Sequence, residues 1–94
     1  MIYDGPGGIV WDFTNTGETA REIRYASLTA PNVVRCEVRL DDTLVDVVYA
    51  GAGGSHSWWG AGNGPLIPDG TLRPGQRVVV TVDGPAAFRV DLGA

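Results

Sequence analysis

Ser55, His56 and Ser57 set the chain's one imidazole between two hydroxyls, the pairing of a nucleophile with its base. A working base also needs an orienting partner and an oxyanion site, and neighbours on an extended chain point to opposite sides. With Asp69 the only acid close by in sequence, no catalytic residues and no enzyme activity are expected. Asp41, Asp42 and Asp46 gather carboxylates that suit calcium. Without a run of spaced oxygen ligands they read instead as a solvated hairpin tip, so neither metal nor cofactor is expected. Cys36 is the single cysteine, which excludes an internal disulfide and a cysteine zinc cage. It lies in phase with Val34 and Val38 and reads as an inert buried thiol.

The remaining group is Trp58 and Trp59, inside "GAGGSHSWWGAGNGP", Gly51 to Pro65. Glycine raises the entropy lost on ordering, so bulky rings here need a compensating contact. Three arrangements meet that need. One indole caps the open end of the domain while its neighbour lies on the surface. Both serve a contact loop with His56 and Asn63, moulded on a partner by the glycines. An exposed indole stacks on a sugar, with Asp69 or Asn63 bonding its hydroxyls. The candidate partner-binding set is therefore His56, Trp58, Trp59 and Asn63.

These residues are positioned by strands. The apolar period is two nearly everywhere: Ile9, Trp11 and Phe13 alternate with Val10, Asp12 and Thr14, and Ile23 and Tyr25 with Glu22 and Arg24. Val34, Cys36, Val38 and Leu40 share one face; beyond Asp41 and Asp42 the alternation resumes as Val45, Val47 and Tyr49. A two-residue turn at Asp41 and Asp42 would set Val38 opposite Val45, Cys36 opposite Val47 and Val34 opposite Tyr49, all facing one way. Val78, Val80 and Val82, then Phe88, Val90 and Leu92, complete six firm strands. Met1 to Tyr3 and Pro65 to Ile67 are short additions. Pro31, Pro65, Pro68 and Pro74 fall between these runs, where a missing N–H harms no ladder. The expectation is one all-β domain over residues 1–94, an antiparallel β-sandwich of about 6–8 short strands with no substantial helix.

Composition narrows the partners. Seven basic residues, all arginine, face eleven acidic ones, for a net charge of -4, which argues against a phosphate-tracking nucleic-acid surface. No stretch approaches the roughly 18 apolar residues of a membrane span, and no signal peptide opens the chain, so synthesis in the cytoplasm and no membrane partner are expected.

"NTGETA", Asn15 to Ala20, and "LRPGQRVVVTV", Leu72 to Val82, resemble paired signatures of bacterial and phage immunoglobulin-like sandwich domains. The paired cysteines of the antibody type are missing. In size and architecture the chain is also similar to small accessory proteins that decorate phage capsids. That resemblance implies a structural, non-enzymatic protein that forms a homo-oligomer and binds a larger shell, such as one of major capsid protein, and so enters a virion. The alternative is a carbohydrate-binding module that uses exposed tryptophans.

Overall fold

The computed structural model describes residues 1–59 and 64–93. Its strands are β1 (Ile2–Tyr3), β2 (Gly8–Thr14), β3 (Arg21–Thr29), β4 (Val34–Leu40), β5 (Thr43–Ala50), β6 (Ser55–Trp58), β7 (Thr71–Leu72), β8 (Arg77–Val82) and β9 (Ala86–Leu92). All six strands expected from the alternation form, Met1 to Tyr3 contributes β1, and the apolar faces meet between two antiparallel sheets. One sheet runs β1-β9-β3-β6, with β7 also on β3; the other runs β2-β8-β4-β5.

In this order β1 and β2 meet at one edge of the sandwich and β5 and β6 at the other. Most consecutive strands thus lie in opposite sheets, and only β4 and β5 form a hairpin within one. This is the connectivity of an eight-stranded jelly roll, whereas an immunoglobulin domain splits its strands as ABED and CFG. β6 pairs with Ala26–Thr29 of β3 and β7 with Arg21 and Glu22, so together they fill one strand position, broken by the chain between them. Leu66 and Ile67 lie fully buried in that break. Pro65 to Ile67, expected as a short strand, runs instead into a 3-10 turn at Pro68–Gly70, because Pro65 and Pro68 remove two ladder donors.

Three β-bulges change which residues face inward. Each adds one unpaired residue to a strand, and with a side-chain period of two that reverses every residue beyond it. In β2 the bulge lies between Ile9 and Trp11, so Val10 and Trp11 are both buried and Ile9, expected inside, is exposed. In β3 it lies between Ile23 and Tyr25, so Ile23, Ala26 and Leu28 enter the core while Tyr25 takes the outer face. In the β4–β5 hairpin the turn is the expected Asp41 and Asp42 pair, both at positive φ. The bulge then falls between Val38 and Arg39, opposite Val45. Cys36 consequently pairs with Val48 and Val34 with Ala50, in place of Val47 and Tyr49. Val48 and Ala50 are buried, and Tyr49 points to solvent.

The two turn phrases are joined through Asn15, the one buried polar side chain among the described residues. Its amide donates to the carbonyl oxygens of Leu72 at 2.9 Å and Thr19 at 3.0 Å, and its own side-chain oxygen accepts from Gly17 N at 3.0 Å. Its backbone bonds Gln76 and Gly75. Burying an amide is destabilising unless its groups are paired, and every polar end here is paired.

Candidate functional site

The adjacent tryptophans part company because β6 is extended through Trp58. Trp58 is opposite Ala26 and His56 opposite Leu28, both on the core side, while Ser57 is opposite Ser27 on the outer side. Trp58 is 1% exposed and Trp59 60%. An aromatic series crosses the core from Phe13 to Trp11 (5.8 Å between centroids), Trp11 to Phe88 (5.5 Å), Phe88 to Trp58 (6.2 Å) and Trp58 to His56 (4.5 Å). An indole N–H at the end of that series needs an acceptor. Asp46 supplies it: Trp58 Nε1 donates to Asp46 Oδ2 at 3.0 Å, and the other carboxylate oxygen accepts from Val47 N at 2.9 Å. Asp46 reaches the indole because the hairpin bulge turned its parity inward.

Of the candidate contact residues, Trp58 is therefore a core residue that ties β6 to β5, and His56 packs against it from the inner side of the strand. Asn63 lies outside the described residues. Of the three that are described, Trp59 alone presents a large exposed surface. It meets Tyr25 edge to face, with centroids 5.5 Å apart and planes at 87°. Unbroken alternation places Tyr25 inside with Ile23; the β3 bulge delivers it to the outer face. A lone aromatic inside a strand pattern gives no warning of this, although the run "YASLT" with Ala26 and Leu28 in phase offers the correct parity.

The outer face of the β1-β9-β3-β6 sheet can be read off the register. One row crosses Ile2, Ala87, Thr29 and Ser55; the next crosses Arg89, Ser27 and Ser57; the third holds Asp91 and Tyr25, with Trp59 beyond the end of β6. Small side chains, four of them hydroxylated, form the floor. Ile2, 78% exposed, stands at one end and the Trp59–Tyr25 pair at the other. An open groove of about 450 Å³ lies over the β1, β9 and β3 part of this floor, lined by Met1, Ile2, Ser27, Thr29, Ala87 and Arg89 among others. The Tyr25 hydroxyl stands 3.5 Å from Ser57 Oγ. Hydrogen bonds with Ser57 and then Ser27, together with the positive charge of Arg89, hold the Tyr25 phenol below its ordinary value of 10.0.

No family model, curated protein or solved structure matches this chain. The chemistry of its surface therefore has to be read from its own residues.

Ser55 and Ser57 belong to the outer side of β6 and His56 to the inner side, so the imidazole and the two hydroxyls do not converge. Two of the three carboxylates near the hairpin are engaged: Asp41 Oδ1 accepts from Arg77 N at 2.9 Å, and Asp46 is held by Trp58 and Val47 on the inner side of its strand. Among the described residues no three His, Cys, Asp or Glu side chains are grouped to hold a metal ion. Burial, and then the charges of Asp46 and Glu37, push the Cys36 thiol up to about 12, so it has little thiolate character. No described helix is long and apolar enough to cross a membrane.

The outer face of the other sheet is different in kind. Glu37 pairs with Arg35 and, at 2.6 Å, with Arg39; Arg77 forks onto Asp12 at 2.7 and 2.9 Å. Its arginines are occupied by neighbouring carboxylates. Arg89, on the first sheet, forms no ion pair among the described residues.

Proposed function

We propose that the chain is a non-enzymatic adhesion protein that docks on a larger protein assembly, in the manner of a virion accessory protein on its shell. The observation that carries this is Trp59, a 60% exposed indole braced edge to face by Tyr25 beside an open sheet face. Interfaces concentrate their binding energy in such aromatic anchors, surrounded by small and polar residues that exclude water. Because Trp58 holds the end of the edge strand from inside, the anchor directly follows a fixed residue. Part of its ordering has been met before a partner arrives. Co-sedimentation with purified shells tests the reading. Trp59→Ala is expected to weaken attachment by roughly tenfold or more while leaving the fold intact. Unchanged attachment, or a wild-type chain that sediments with no shell, would overturn it. The assembly is proposed to hold several copies of the chain, and the mass in solution checks this.

A second reading, that the same face binds carbohydrate, is favoured by one specific observation. Tyr25, Ser27, Ser57 and Thr29 bring four side-chain hydroxyls onto the floor next to the free indole. An aromatic plane beside clustered hydroxyls suits a pyranose, with one apolar ring face and hydroxyls at its rim.

A further inference from the structure

We infer that the outer face of the β1-β9-β3-β6 sheet, from the groove at Arg89, Ser27 and Thr29 across to Ser57, Tyr25 and Trp59 beyond it, binds an acidic sugar chain, with Arg89 receiving the uronate carboxylate, the hydroxyls of Ser27, Thr29, Ser57 and Tyr25 bonding the sugar hydroxyls, and Trp59 flanking a ring. This rests on the carbohydrate reading and adds the class of sugar. The cation decides the class. Arg35, Arg39 and Arg77 are each held by a carboxylate of their own sheet; Arg21, Arg24, Arg73 and Arg89 form no ion pair among the described residues, and of these Arg89 alone lines the groove, with Asp91 in the next row of the same face. A planar guanidinium presents paired donors that match a carboxylate, and its opposite number must come from the ligand.

The dimensions agree. Strands lie about 4.8 Å apart, so the row from β9 across β3 to β6 spans roughly 10 Å, about the reach of two linked pyranose rings. Arg89, Ser27 and Ser57 stand side by side along that row. A carboxylate on Arg89 therefore lays the sugar body over Ser27 and carries the next ring toward Ser57, Tyr25 and Trp59. An acidic peptide also offers carboxylates, but it brings few hydroxyls to a floor built largely of hydroxyls. At a net charge of -4 the chain as a whole repels polyanions, so binding here depends on local contacts and weakens with salt.

The test is a titration of the whole chain with tetragalacturonate, followed by amide chemical shifts and tryptophan fluorescence, beside maltotetraose and hexaglutamate as probes. Saturable shifts confined to β9, β3 and β6 are expected with tetragalacturonate. Arg89→Ala should weaken them roughly ten- to a hundredfold, and Arg89→Lys should recover part of the loss. Thermal unfolding of each variant controls for folding, and both substitutions are at an exposed site. Absence of tetragalacturonate binding at millimolar concentration overturns the inference. Equal binding of maltotetraose overturns the acidic class and leaves the carbohydrate reading standing. Binding of hexaglutamate without tetragalacturonate overturns both and assigns the groove to an acidic protein segment.

Discussion

Replacing each tryptophan of the pair separately gives a test whose two arms differ in size. Trp58→Ala removes an indole that is 1% exposed, takes away its contacts with Phe88 and His56, and strips Asp46 of its donor. Large-to-small changes at buried aromatics cost about 3–5 kcal/mol. A 94-residue domain has a total stability of about 5–14 kcal/mol. For a domain of this size each kcal/mol shifts Tm by about 4–8 °C, so Trp58→Ala should lower Tm by about 12 °C at the least. Trp59→Ala removes an exposed ring whose one aromatic contact is the edge of Tyr25, worth about 0.5–1.5 kcal/mol before its exposure is discounted, and should shift Tm by no more than a few degrees. Circular dichroism during thermal and urea unfolding measures both. Combining Trp58→Phe with Asp46→Ala isolates the indole hydrogen bond, whose coupling should be about 1–2 kcal/mol. Equal losses from Trp58→Ala and Trp59→Ala would refute the division of the pair into core and surface residues.

Asn15→Ala leaves Leu72 O and Gly17 N without their side-chain partner and should destabilise by about 2–4 kcal/mol in urea unfolding. Gly51→Ala should disrupt folding, because a Cβ there would stand 2.1 Å from Asn32 O at a φ of 114°; Gly75→Ala, at a φ of 84° with open space, should cost only about 1 kcal/mol. Cys36 should resist thiol reagents in the native protein at pH 8 and react fully once urea unfolds the chain. Hydrogen bonding to Arg77 lowers the Asp12 carboxyl below its ordinary value of 3.8. Its contribution to stability should therefore be complete above that value and be lost as pH falls through the lower folded one. Carboxyl NMR titration reads the shift, and Asp12→Asn should change stability at neutral pH by only about 0.5 kcal/mol.

Alternation located the strands because burying one sheet face imposes a period of two. It failed at Ile9, Tyr25, Val47 and Tyr49 for one reason: a bulge inserts a residue without any compositional mark, and every side chain beyond it changes face. Asp46 shows the size of the effect. Read in unbroken phase it faces solvent; observed, it accepts the hydrogen bond that secures Trp58. The splitting of Trp58 from Trp59 was legible, since neighbours on an extended chain diverge. Which ring would go inside was not, because that depends on where Ser55–Trp58 joins β3, a long-range pairing with no local signal. "SHSW" reads as part of a glycine loop yet forms an edge strand, with Trp58 set opposite Ala26 and His56 opposite Leu28 on the core side. The outer-face groove has no local signal because its residues come from three strands far apart in sequence and are ordinary one at a time.

The bulges have a further effect, on what the protein does in company with itself. An open sandwich has four border strands, and a long, straight border strand recruits another of its kind through unpaired backbone groups. Here two borders are very short, β1 with two residues and β6 with four. The two long ones, β2 and β5, each carry a bulge that twists the backbone out of line, and β5 also turns the charge of Asp46 inward. Crowded copies of this chain can therefore meet face to face without their sheets fusing into fibrils.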